Sequence, residues 1–366
     1  MWFVIFDGYS EEVFNRELWY TGGNIYTIWV GIGIKTMPPQ PLSPQTRIWQ
    51  LGLGFTNTAV LYTLVKTGVI EQLRHQPRSL AELAQDGGLD SNVLCRVLRF
   101  AAVLEVIEQN EDRYSLTETG RLLLKNMPGS VHHGVLLWGS EEFQRVWHNL
   151  AYSLTTGGAA FPEVMGSPAF EYFNKNLEFG AIFNQWMTDT STQAAQAVTA
   201  DYDFTPFRSV CDVGGGQGLL LKSILLANPH LRGILFDLED VVKNHVLAGL
   251  DGRVEIQAGN FFEHVPAAGL LMMKRILHDW DDGKCQAILA NCRRVMRPDS
   301  RLLIIERVIS PTVDITEVYA DLLMQLMHGG KERTEAEFGA MLQNAGMKLQ
   351  RVIPTSSTLK IVEASL

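Results

Sequence analysis

The sequence predicts an α/β protein with a doubly wound, mostly parallel sheet in its carboxyl-terminal part and a smaller helical domain before it. Three observations support this prediction. A strand pattern runs directly into a glycine-dense turn at 209–218. From there, strand and helix patterns alternate to the end of the chain, which is typical of a parallel sheet covered on both faces. Before them, helical patterns and one hairpin pattern fill residues 46–116.

Composition excludes several classes of protein. With 366 residues the chain is long enough for two domains, and 46% hydrophobic against 19% charged residues indicates a globular protein. The net charge of −9 argues against a nucleic-acid partner, because binding to phosphates needs a basic face. The cysteines form no C-x-x-C pair and indicate buried thiols in a reducing compartment: Cys95, Cys211, Cys285 and Cys292. We expect a cytoplasmic protein that binds neither nucleic acid nor a membrane.

Residues 1–36 differ from the rest of the chain. The stretch 18–34 is uncharged, but it is short for a membrane-spanning helix and contains several glycines. Asp7, Glu11 and Glu12 stand where a secretory signal carries positive charge. We interpret 1–36 as an atypical amino-terminal extension and expect the natural start at Met37. Mass spectrometry of the first peptide of the native protein tests this hypothesis.

Residues 37–125 resemble a winged-helix module. Helices are predicted over 46–67 and 92–102, and 79–82 has the capping-box pattern that opens a short helix. A hairpin is expected around 109–112. One hypothesis is DNA binding through Arg96 and Arg99; the other is a scaffold for dimerisation. The acidic balance of the chain favours the scaffold.

Residues 126–205 are predicted to form a helical linker and substrate-cleft region. Phe179, Phe183, Trp186 and Met187 recur on one helical face. Such a stripe either packs in a core or lines a cleft, and spacing alone does not decide between the two. The domain boundary is expected near 201–208, so that 206–366 forms the catalytic domain. Its strands are predicted at 210–213, 233–236, 254–258, 269–273, 301–306, 347–353 and 359–364, and its helices at 219–227, 241–248, 283–296 and 335–345.

The glycine turn indicates a nucleotide-like ligand. A dinucleotide-binding fingerprint requires a third glycine where this chain has Leu219. The chain has instead Gly214, Gly216 and Gly218, with the acid Asp212 two residues before them. An acid there repels a pyrophosphate but suits a cationic amino-acid ligand. The alternative is a turn that serves packing alone.

A second motif, 274–282, follows an apolar strand and therefore lies at the same edge of the sheet. It places His278 beside acids, which favours a catalytic histidine over a structural one. A metal site formed by His278, Asp279, Asp281 and Asp282 is an alternative, but consecutive acids before a helix are better explained as N-caps. Glu306 ends a strand and Glu332 precedes a helix; spacing leaves open whether either is functional.

Three motifs, at 212–218, 277–280 and 329–338, occur in this order. Together they resemble the small-molecule O-methyltransferases of the caffeate and isoflavone type, and more closely their bacterial relatives that act on phenolic or polyketide-like metabolites. The resemblance extends from about Arg47 to the end of the chain. It implies a class I methyltransferase with a Rossmann-like sheet, preceded by a winged-helix-like dimerisation domain, and a homodimer.

The resemblance also implies the residues that bind S-adenosylmethionine, from which S-adenosylhomocysteine is the product. Gly214 would approach the methionine part, Asp237 the ribose and Phe261 the adenine. Lys274 would contact the carboxylate side. The remaining implied cofactor-binding residues are Asp212, Gly216, Gly218 and Asn260. The family usually has Gly-Asp where this chain has Gly259 and Asn260, so we expect weaker but surviving cofactor binding.

For catalysis, the resemblance implies His278 as the general base, with Glu306 and Glu332 orienting its ring. Met187 would clamp the acceptor ring, and Phe183, Asp279 and His328 would line the same site. No metal is expected. Two alternatives remain: a relative with altered chemistry on the same scaffold, such as a decarboxylase or hydroxylase, and a regulator that uses the winged-helix part. The sequence does not identify the methyl acceptor.

Overall fold

The computed structural model describes residues 18–21, 25–29, 34–37, 43–250 and 252–366. The chain divides into two compact units, Met1–Ser140 and Glu141–Leu366. Sequence patterns indicated a boundary near 201–208, but the long helix Leu177–Asp201 belongs to the second unit, because Ala194 and Val198 pack in the core of its sheet. Most of the extension 1–36 lies outside the described residues, and the start at Met37 stays a prediction.

The first unit combines short helices with two small sheets. Its elements are β1 (Leu18–Thr21), β2 (Ile25–Trp29), β3 (Ile34–Met37), α1 (Pro44–Gly52), α2 (Gly54–Lys66), α3 (Val69–Gln72), β4 (Arg78–Ser79), α4 (Leu80–Gly87), α5 (Ser91–Val103), β5 (Ile107–Asn110), β6 (Arg113–Leu116), α6 (Glu118–Arg121) and α7 (His132–Trp138). β1, β2 and β3 form one antiparallel sheet, and β4, β6 and β5 form another.

The short helix after the capping box, the helix predicted over 92–102 and the hairpin around 109–112 are present as α4, α5 and the β5–β6 pair. The capping box is confirmed: the hydroxyl of Ser79 accepts from the Glu82 N–H at 3.3 Å, and the Glu82 carboxylate accepts from the Ser79 N–H at 2.7 Å. The single helix predicted over 46–67 is wrong, since α1 and α2 are separated at Leu53. Gly52 and Gly54 flank the break, and glycine is a poor helix former.

The second unit begins with helices and continues as an alternation of strands and helices. Its elements are α8 (Glu141–His148), α9 (Leu150–Thr156), α10 (Ala160–Met165), α11 (Ala169–Lys175), α12 (Leu177–Asp201), β7 (Ser209–Val213), α13 (Leu219–Ala227), β8 (Arg232–Asp237), α14 (Glu239–Val242), β9 (Val254–Ala258), β10 (Leu270–Lys274), a 3₁₀ turn (Leu277–Asp279), α15 (Asp282–Val295), β11 (Arg301–Glu306), β12 (Val308–Ile309), α16 (Ile315–His328), β13 (Arg333–Thr334), α17 (Glu335–Asn344), β14 (Lys348–Pro354) and β15 (Lys360–Ser365).

One seven-stranded sheet organises the second unit, in the order β14-β15-β11-β10-β7-β8-β9. β7 to β11 run parallel, and β14 and β15 join antiparallel at one edge. The central strands are apolar along most of their length because both faces are covered. Separate hydrophobic clusters fill the two faces. The predicted doubly wound, mostly parallel sheet is confirmed.

The helix predicted over 241–248 is wrong, since α14 ends at Val242. The chain then turns back to the glycine-rich loop, where the Val246 N–H donates to the Gln217 carbonyl at 2.9 Å. Leu247 packs beside Gly218 in the same contact. A tertiary contact therefore overrides the local helical pattern.

All four cysteines are free thiols. Cys211, Cys285 and Cys292 are buried as expected, whereas Cys95 is only half-buried on α5. Within the described residues, no helix is both long and apolar enough to cross a membrane.

Candidate active site

The carboxyl ends of the parallel strands meet at one rim of the sheet. β7 lies between β8 and β10, so the strand order reverses there. Ligands of open α/β sheets bind at such a reversal, beyond the ends of the strands. The residues that end β7, β8, β10 and β11 are Val213, Asp237, Lys274 and Glu306. All the predicted site motifs adjoin this rim.

The turn after β7 needs glycine at several positions. Gly214, Gly216 and Gly218 have φ angles of +68°, +59° and +84°, a region that side chains disfavour. A methyl group on Gly214 would lie 2.5 Å from Ile276 Cδ1, whereas the space beside Gly216 is open to at least 4 Å. The turn therefore offers bare backbone to a ligand.

Two carboxylates flank this turn. Asp237 at the end of β8 accepts from the Gly216 N–H at 2.8 Å and from the Leu238 N–H at 2.7 Å. Asp212 is 1% exposed, and its Oδ2 has no hydrogen-bond partner among the described residues. Burial raises the pKa of Asp212 to about 7, although the charge of Lys274 opposes this shift. A cation bound over the turn would offset the buried charge.

Asn260 and Phe261 follow β9 at the same rim. The Asn260 Oδ1 accepts from the Phe262 N–H at 3.0 Å, which shapes the loop and leaves the second lone pair of the oxygen available. The Phe261 ring lies beside Gly214, 3.5 Å from the position that a Cβ there would take. Phe261 and Asp237 thus both adjoin the glycine turn, Phe261 at Gly214 and Asp237 at Gly216.

Lys274 ends β10 and donates to the Ser191 hydroxyl of α12 at 3.1 Å. Burial and the charge of Arg275 lower the pKa of Lys274 to about 8, against the attraction of Asp212. Lys274 is therefore held against α12, at the end of the strand that pairs with β7 beside Asp212.

His278 lies in the 3₁₀ turn after β10 and is 8% exposed. Its Nδ1 is 3.0 Å from Glu332 Oε1, and its Nε2 is 3.6 Å from Asp279 Oδ1, which is longer than a hydrogen bond. Burial lowers the pKa of His278, but the hydrogen bond to Glu332 and the charges of Asp279, Glu332 and Glu306 outweigh burial and raise it.

Glu306 acts on the backbone and not on the ring of His278. It is fully buried, and its Oε1 accepts from the N–H groups of Ile276, Leu277 and His278 at 3.1, 2.6 and 3.3 Å. We expected both glutamates to orient the imidazole; the structure gives that contact to Glu332 alone. Burial raises the pKa of Glu306 to about 7, since the charge of His278 offsets burial only in part.

Sequence reasoning missed Arg333, which is 1% exposed. Its Nη1 donates to the Leu277 carbonyl and its Nη2 to the Trp280 carbonyl, both at 3.0 Å, and Nη2 also reaches Asp282 Oδ1 at 2.8 Å. Arg333 therefore binds both ends of the turn that carries His278, directly beside Glu332 in the chain. An arginine directly after a candidate acid was the only signal in the sequence.

Of the implied acceptor-site residues, Asp279 lies in the 3₁₀ turn and the others lie on α12 and α16. Phe183 packs on Phe173 with ring centroids 4.2 Å apart, and Met187 lies one turn further along α12. His328 stacks on Phe170, with ring centroids 4.9 Å apart and an angle of 19° between the ring planes. Burial lowers the pKa of His328, as does the charge of His278, while Asp279 raises it. His328 is thus near the turn that carries His278 and Asp279.

The acids of the alternative metal site have other roles. Asp281 is the N-cap of α15 and accepts from the Lys284 N–H at 2.9 Å. Asp282 pairs with Arg333 and with Lys331. Among the described residues, no group of three or more histidine, cysteine or acidic side chains is arranged to hold a metal ion.

The rim fits S-adenosylmethionine, and the unpartnered Oδ2 of Asp212 is the observation that tests this fit. It places negative charge beneath the turn, where the cationic methionine part would bind. Gly214 and Gly216 present bare backbone, and Asp237 and Phe261 flank the turn where ribose and adenine would lie.

Family comparisons agree with this geometry. Residues 147–348 match the model of the O-methyltransferase domain, and residues 49–126 match that of the O-methyltransferase dimerisation domain. The chain is 36% identical to the phenazine O-methyltransferase of Lysobacter antibioticus, over 86% of this chain and 94% of that protein. It is 34% identical to the 3-amino-4-hydroxybenzoate 4-O-methyltransferase of Streptomyces cremeus, over 89% and 92%.

Among solved structures, a methyltransferase of calicheamicin biosynthesis, bound to S-adenosylhomocysteine, superposes with a TM-score of 0.82 at 33% identity. The match covers 89% of this chain and 99% of that one. The mitomycin 7-O-methyltransferase gives a TM-score of 0.80 at 31% identity, over 88% and 97%.

A seven-stranded sheet with a glycine turn after its central strand β7 and an acid at the end of β8 defines a class I S-adenosylmethionine-dependent methyltransferase. Within this class, the chain belongs to the O-methyltransferase family that carries an amino-terminal dimerisation domain. It is an S-adenosylmethionine-dependent O-methyltransferase.

Proposed function

We propose that this enzyme methylates a phenolic hydroxyl of a small secondary metabolite, with His278 as the general base. The observation that carries the proposal is the buried pair of His278 Nδ1 and Glu332 Oε1, 3.0 Å apart at the rim of the sheet. Relatives that act on a phenazine and on an aminohydroxybenzoate support a phenolic acceptor.

The hydrogen bond to Glu332 fixes the tautomer of the base. Because a carboxylate only accepts, the Nδ1 of His278 carries the proton and Nε2 keeps its lone pair. Nε2 is the atom that takes the proton of the acceptor hydroxyl. A phenol ionises near pKa ~10, so little phenolate exists at neutral pH without a base. A positioned imidazole contributes roughly 10²–10⁴-fold.

After proton transfer, the imidazolium is stabilised by the acids around it. Glu332 accepts its Nδ1 proton, and Asp279 lies 3.6 Å from Nε2. Glu306 and Arg333 hold the backbone of the turn, so the ring does not shift as it gains charge. The role of Glu332 resembles that of the acid in a Ser-His-Asp triad, which orients the base and stabilises its charged form.

For methyl transfer, the enzyme then has mainly to align the acceptor oxygen with the methyl group of the cofactor. When bound, S-adenosylmethionine supplies an electrophilic methyl group on its sulfonium. The glycine turn, Asp237, Phe261 and Lys274 hold the cofactor, and Met187 and His328 confine the acceptor ring. Holding the reacting atoms in line removes much of the entropic cost of the reaction.

The test is transfer of labelled methyl from S-adenosylmethionine to a panel of catechols, monophenols and hydroxyquinones. We expect label on at least one phenolic class, and a loss of about 10²–10⁴-fold in kcat for His278→Ala with cofactor affinity nearly unchanged. Equal loss of turnover and cofactor affinity would show that His278 is structural. Cofactor binding without transfer to any member would favour a scaffold with altered chemistry.

We further propose a homodimer formed through the first unit. Apolar side chains of α1 and α2 are between 57% and 67% exposed in the single chain: Ile48, Trp49, Leu51, Leu53 and Phe55. Such a contiguous apolar set is typical of an interface. Light scattering is expected to give twice the chain mass, and Trp49→Asp with Phe55→Asp is expected to give the monomer. The free thiols support a cytoplasmic location.

A further inference from the structure

Arg275 lies between Lys274 and the catalytic turn, and the mechanism above does not use it. The side chain is half-buried. Its Nη1 donates to the Thr190 hydroxyl of α12 at 3.4 Å, a long hydrogen bond. A guanidinium has five N–H donors. Among the described residues, no carboxylate lies within 4.0 Å of it.

The electrostatic surroundings of Arg275 belong to the catalytic side of the rim. Burial and the charge of Arg307 lower its pKa, whereas Glu332, Asp279 and Glu306 raise it. Those three carboxylates therefore lie near enough to act through space without pairing with the guanidinium. Lys274, by contrast, is directed to Ser191 and is influenced by Asp212 on the glycine-turn side.

The backbone of Arg275 is also strained. Its φ angle is +55°, in the left-handed region, and it is the only non-glycine residue described in the second unit with a positive φ. Left-handed backbone costs free energy for a residue with a long side chain, and such strain concentrates at functional sites. The strained turn directs the guanidinium toward Thr190, one turn of α12 beyond Met187.

We propose that Arg275 binds a carboxylate, or an equivalent anionic oxygen, of the methyl acceptor, so that the enzyme selects acidic hydroxyarenes. This inference rests on the proposed methyl transfer to a phenol. When an aromatic acceptor fills the site and excludes water, the free N–H donors of the guanidinium need an anion. A planar guanidinium matches a carboxylate with two parallel hydrogen bonds.

The cofactor also carries a carboxylate, and the test must separate the two sources. The acceptor is favoured because the guanidinium contacts Thr190, one turn of α12 beyond Met187, and the carboxylates that act on it are those around His278. Binding is measured on enzyme saturated with S-adenosylhomocysteine, so that acceptor affinity does not depend on turnover. The probes are phenol against the three hydroxybenzoates, and 2-naphthol against 3-hydroxy-2-naphthoate.

The variants are Arg275→Met, which removes the charge at similar size, and Arg275→Lys, which keeps it. We expect the wild type to bind at least one carboxylated probe about 10–100-fold more tightly than its uncharged counterpart, as charge-assisted hydrogen bonds allow. In Arg275→Met, the affinities for the carboxylated and uncharged probes are expected to differ by less than about 3-fold. Arg275→Lys is expected to give an intermediate preference, because a point charge replaces the planar guanidinium. Because the charge is unpaired in the free enzyme, Arg275→Met should melt no lower than the wild type.

Several results would overturn the proposal. One is a wild type that does not prefer any carboxylated probe; another is a ratio that survives in Arg275→Met. A loss of S-adenosylhomocysteine affinity in Arg275→Met as large as the loss for the acceptor would assign Arg275 to the cofactor. A lower melting temperature would show that the charge is already paired.

A separate outcome concerns the reaction itself. His278→Ala should keep the preference for carboxylated probes while it loses methyl transfer. If the wild type shows that preference but transfers methyl to none of the probes, the anion site stands and the phenolic acceptor is wrong.

Discussion

The glycine-turn side of the rim presents mainly backbone to its ligand, whereas the histidine side presents side chains. On the first side, Gly214 lies against Ile276, Gly216 has open space beside it, and Asp237 binds the turn itself. On the second side, His278, Glu332 and Arg333 form one hydrogen-bonded group. The first side should therefore be sensitive to any added Cβ, and the second to changes of charge.

The largest effect is expected for Glu332→Gln. The amide cannot stabilise the imidazolium as a carboxylate does, so kcat should fall by about 10²–10⁴-fold. Glu332 raises the pKa of His278, so its removal should lower that pKa. The base is active when neutral; the midpoint of kcat/KM against pH should therefore move to lower pH.

Glu337→Gln is the matched control, because Glu337 lies on the same segment but caps α17 and contacts Lys331, not His278. Its pH midpoint should equal that of the wild type. A midpoint for Glu332→Gln that stays in place or moves to higher pH would contradict the role assigned to Glu332.

The next effect is expected for Arg333→Met. It removes the guanidinium donor of the Leu277 and Trp280 carbonyls, so we expect a loss of about 1–3 kcal/mol in the free energy of unfolding, as for other lost buried hydrogen bonds. The turnover of the folded fraction should also fall. Urea unfolding and kcat measure the two effects.

Arg351→Met provides the comparison, because Arg351 makes a similar two-nitrogen contact to Glu363 with a side chain that is 62% exposed. Its partner Glu363 is buried, but Arg301 Nε remains 3.6 Å from that carboxylate, so this variant should lose less free energy of unfolding than Arg333→Met does. Equal losses of unfolding free energy in the two variants would show that the burial of Arg333 is unimportant.

Gly214→Ala tests the backbone side and should have a smaller effect. The added methyl group meets Ile276 Cδ1 at 2.5 Å in a left-handed backbone, so the turn must shift. We expect affinity for S-adenosylhomocysteine to fall by roughly 10-fold, with kcat at saturation nearly retained, since a displacement of the turn costs about 1–2 kcal/mol. Calorimetry measures the affinity. Gly249→Ala, with a φ of +87° and open space around it, should leave affinity unchanged.

The smallest effect on turnover is expected for Glu306→Gln, which keeps an oxygen for the three N–H donors. Burial raises the pKa of Glu306 from 4.5 to about 7. Between pH 4.5 and about pH 7, Glu306 is therefore protonated in the folded state and ionised in the unfolded state. This contribution therefore destabilises the wild type as pH rises, by at most about 1.4 kcal/mol per pH unit. Relative to the wild type, Glu306→Gln should be more stable at pH 8 than at pH 5. The opposite trend in thermal unfolding would show that the carboxylate is compensated.

The sequence predicted most of the catalytic domain because its signals are local. The helix Leu219–Ala227 and the strands Val254–Ala258 and Arg301–Glu306 match their predicted bounds. Glycine spacing, apolar runs and capping patterns each depend on neighbouring residues. The prediction of a helix over 241–248 was wrong because the chain there follows a contact with Gln217, which is distant in sequence and leaves no local pattern.

The catalytic side was predicted only in part for the same reason. His278 and Glu332 are 54 residues apart, and their pairing follows from the positions of β10 and β13 and not from spacing. The motif resemblance named both residues but gave Glu306 the same task as Glu332. Only the three backbone hydrogen bonds of Glu306 show that its task differs. Arg275 has no local signal and Arg333 has only its place directly after Glu332, since buried and exposed arginines look alike in a sequence.

Helix α12 contacts both the cofactor side and the proposed acceptor side of the site. Its 25 residues span roughly 37 Å as one rod. Phe183 and Met187 lie toward its first half, the hydroxyls of Thr190 and Ser191 reach Arg275 and Lys274 near its middle, and Val198 anchors its last turns in the sheet core. A displacement that the acceptor imposes on this rod moves the partner of Lys274 as well. Because one helix carries both sets of contacts, we expect binding of the acceptor to alter the affinity for the cofactor.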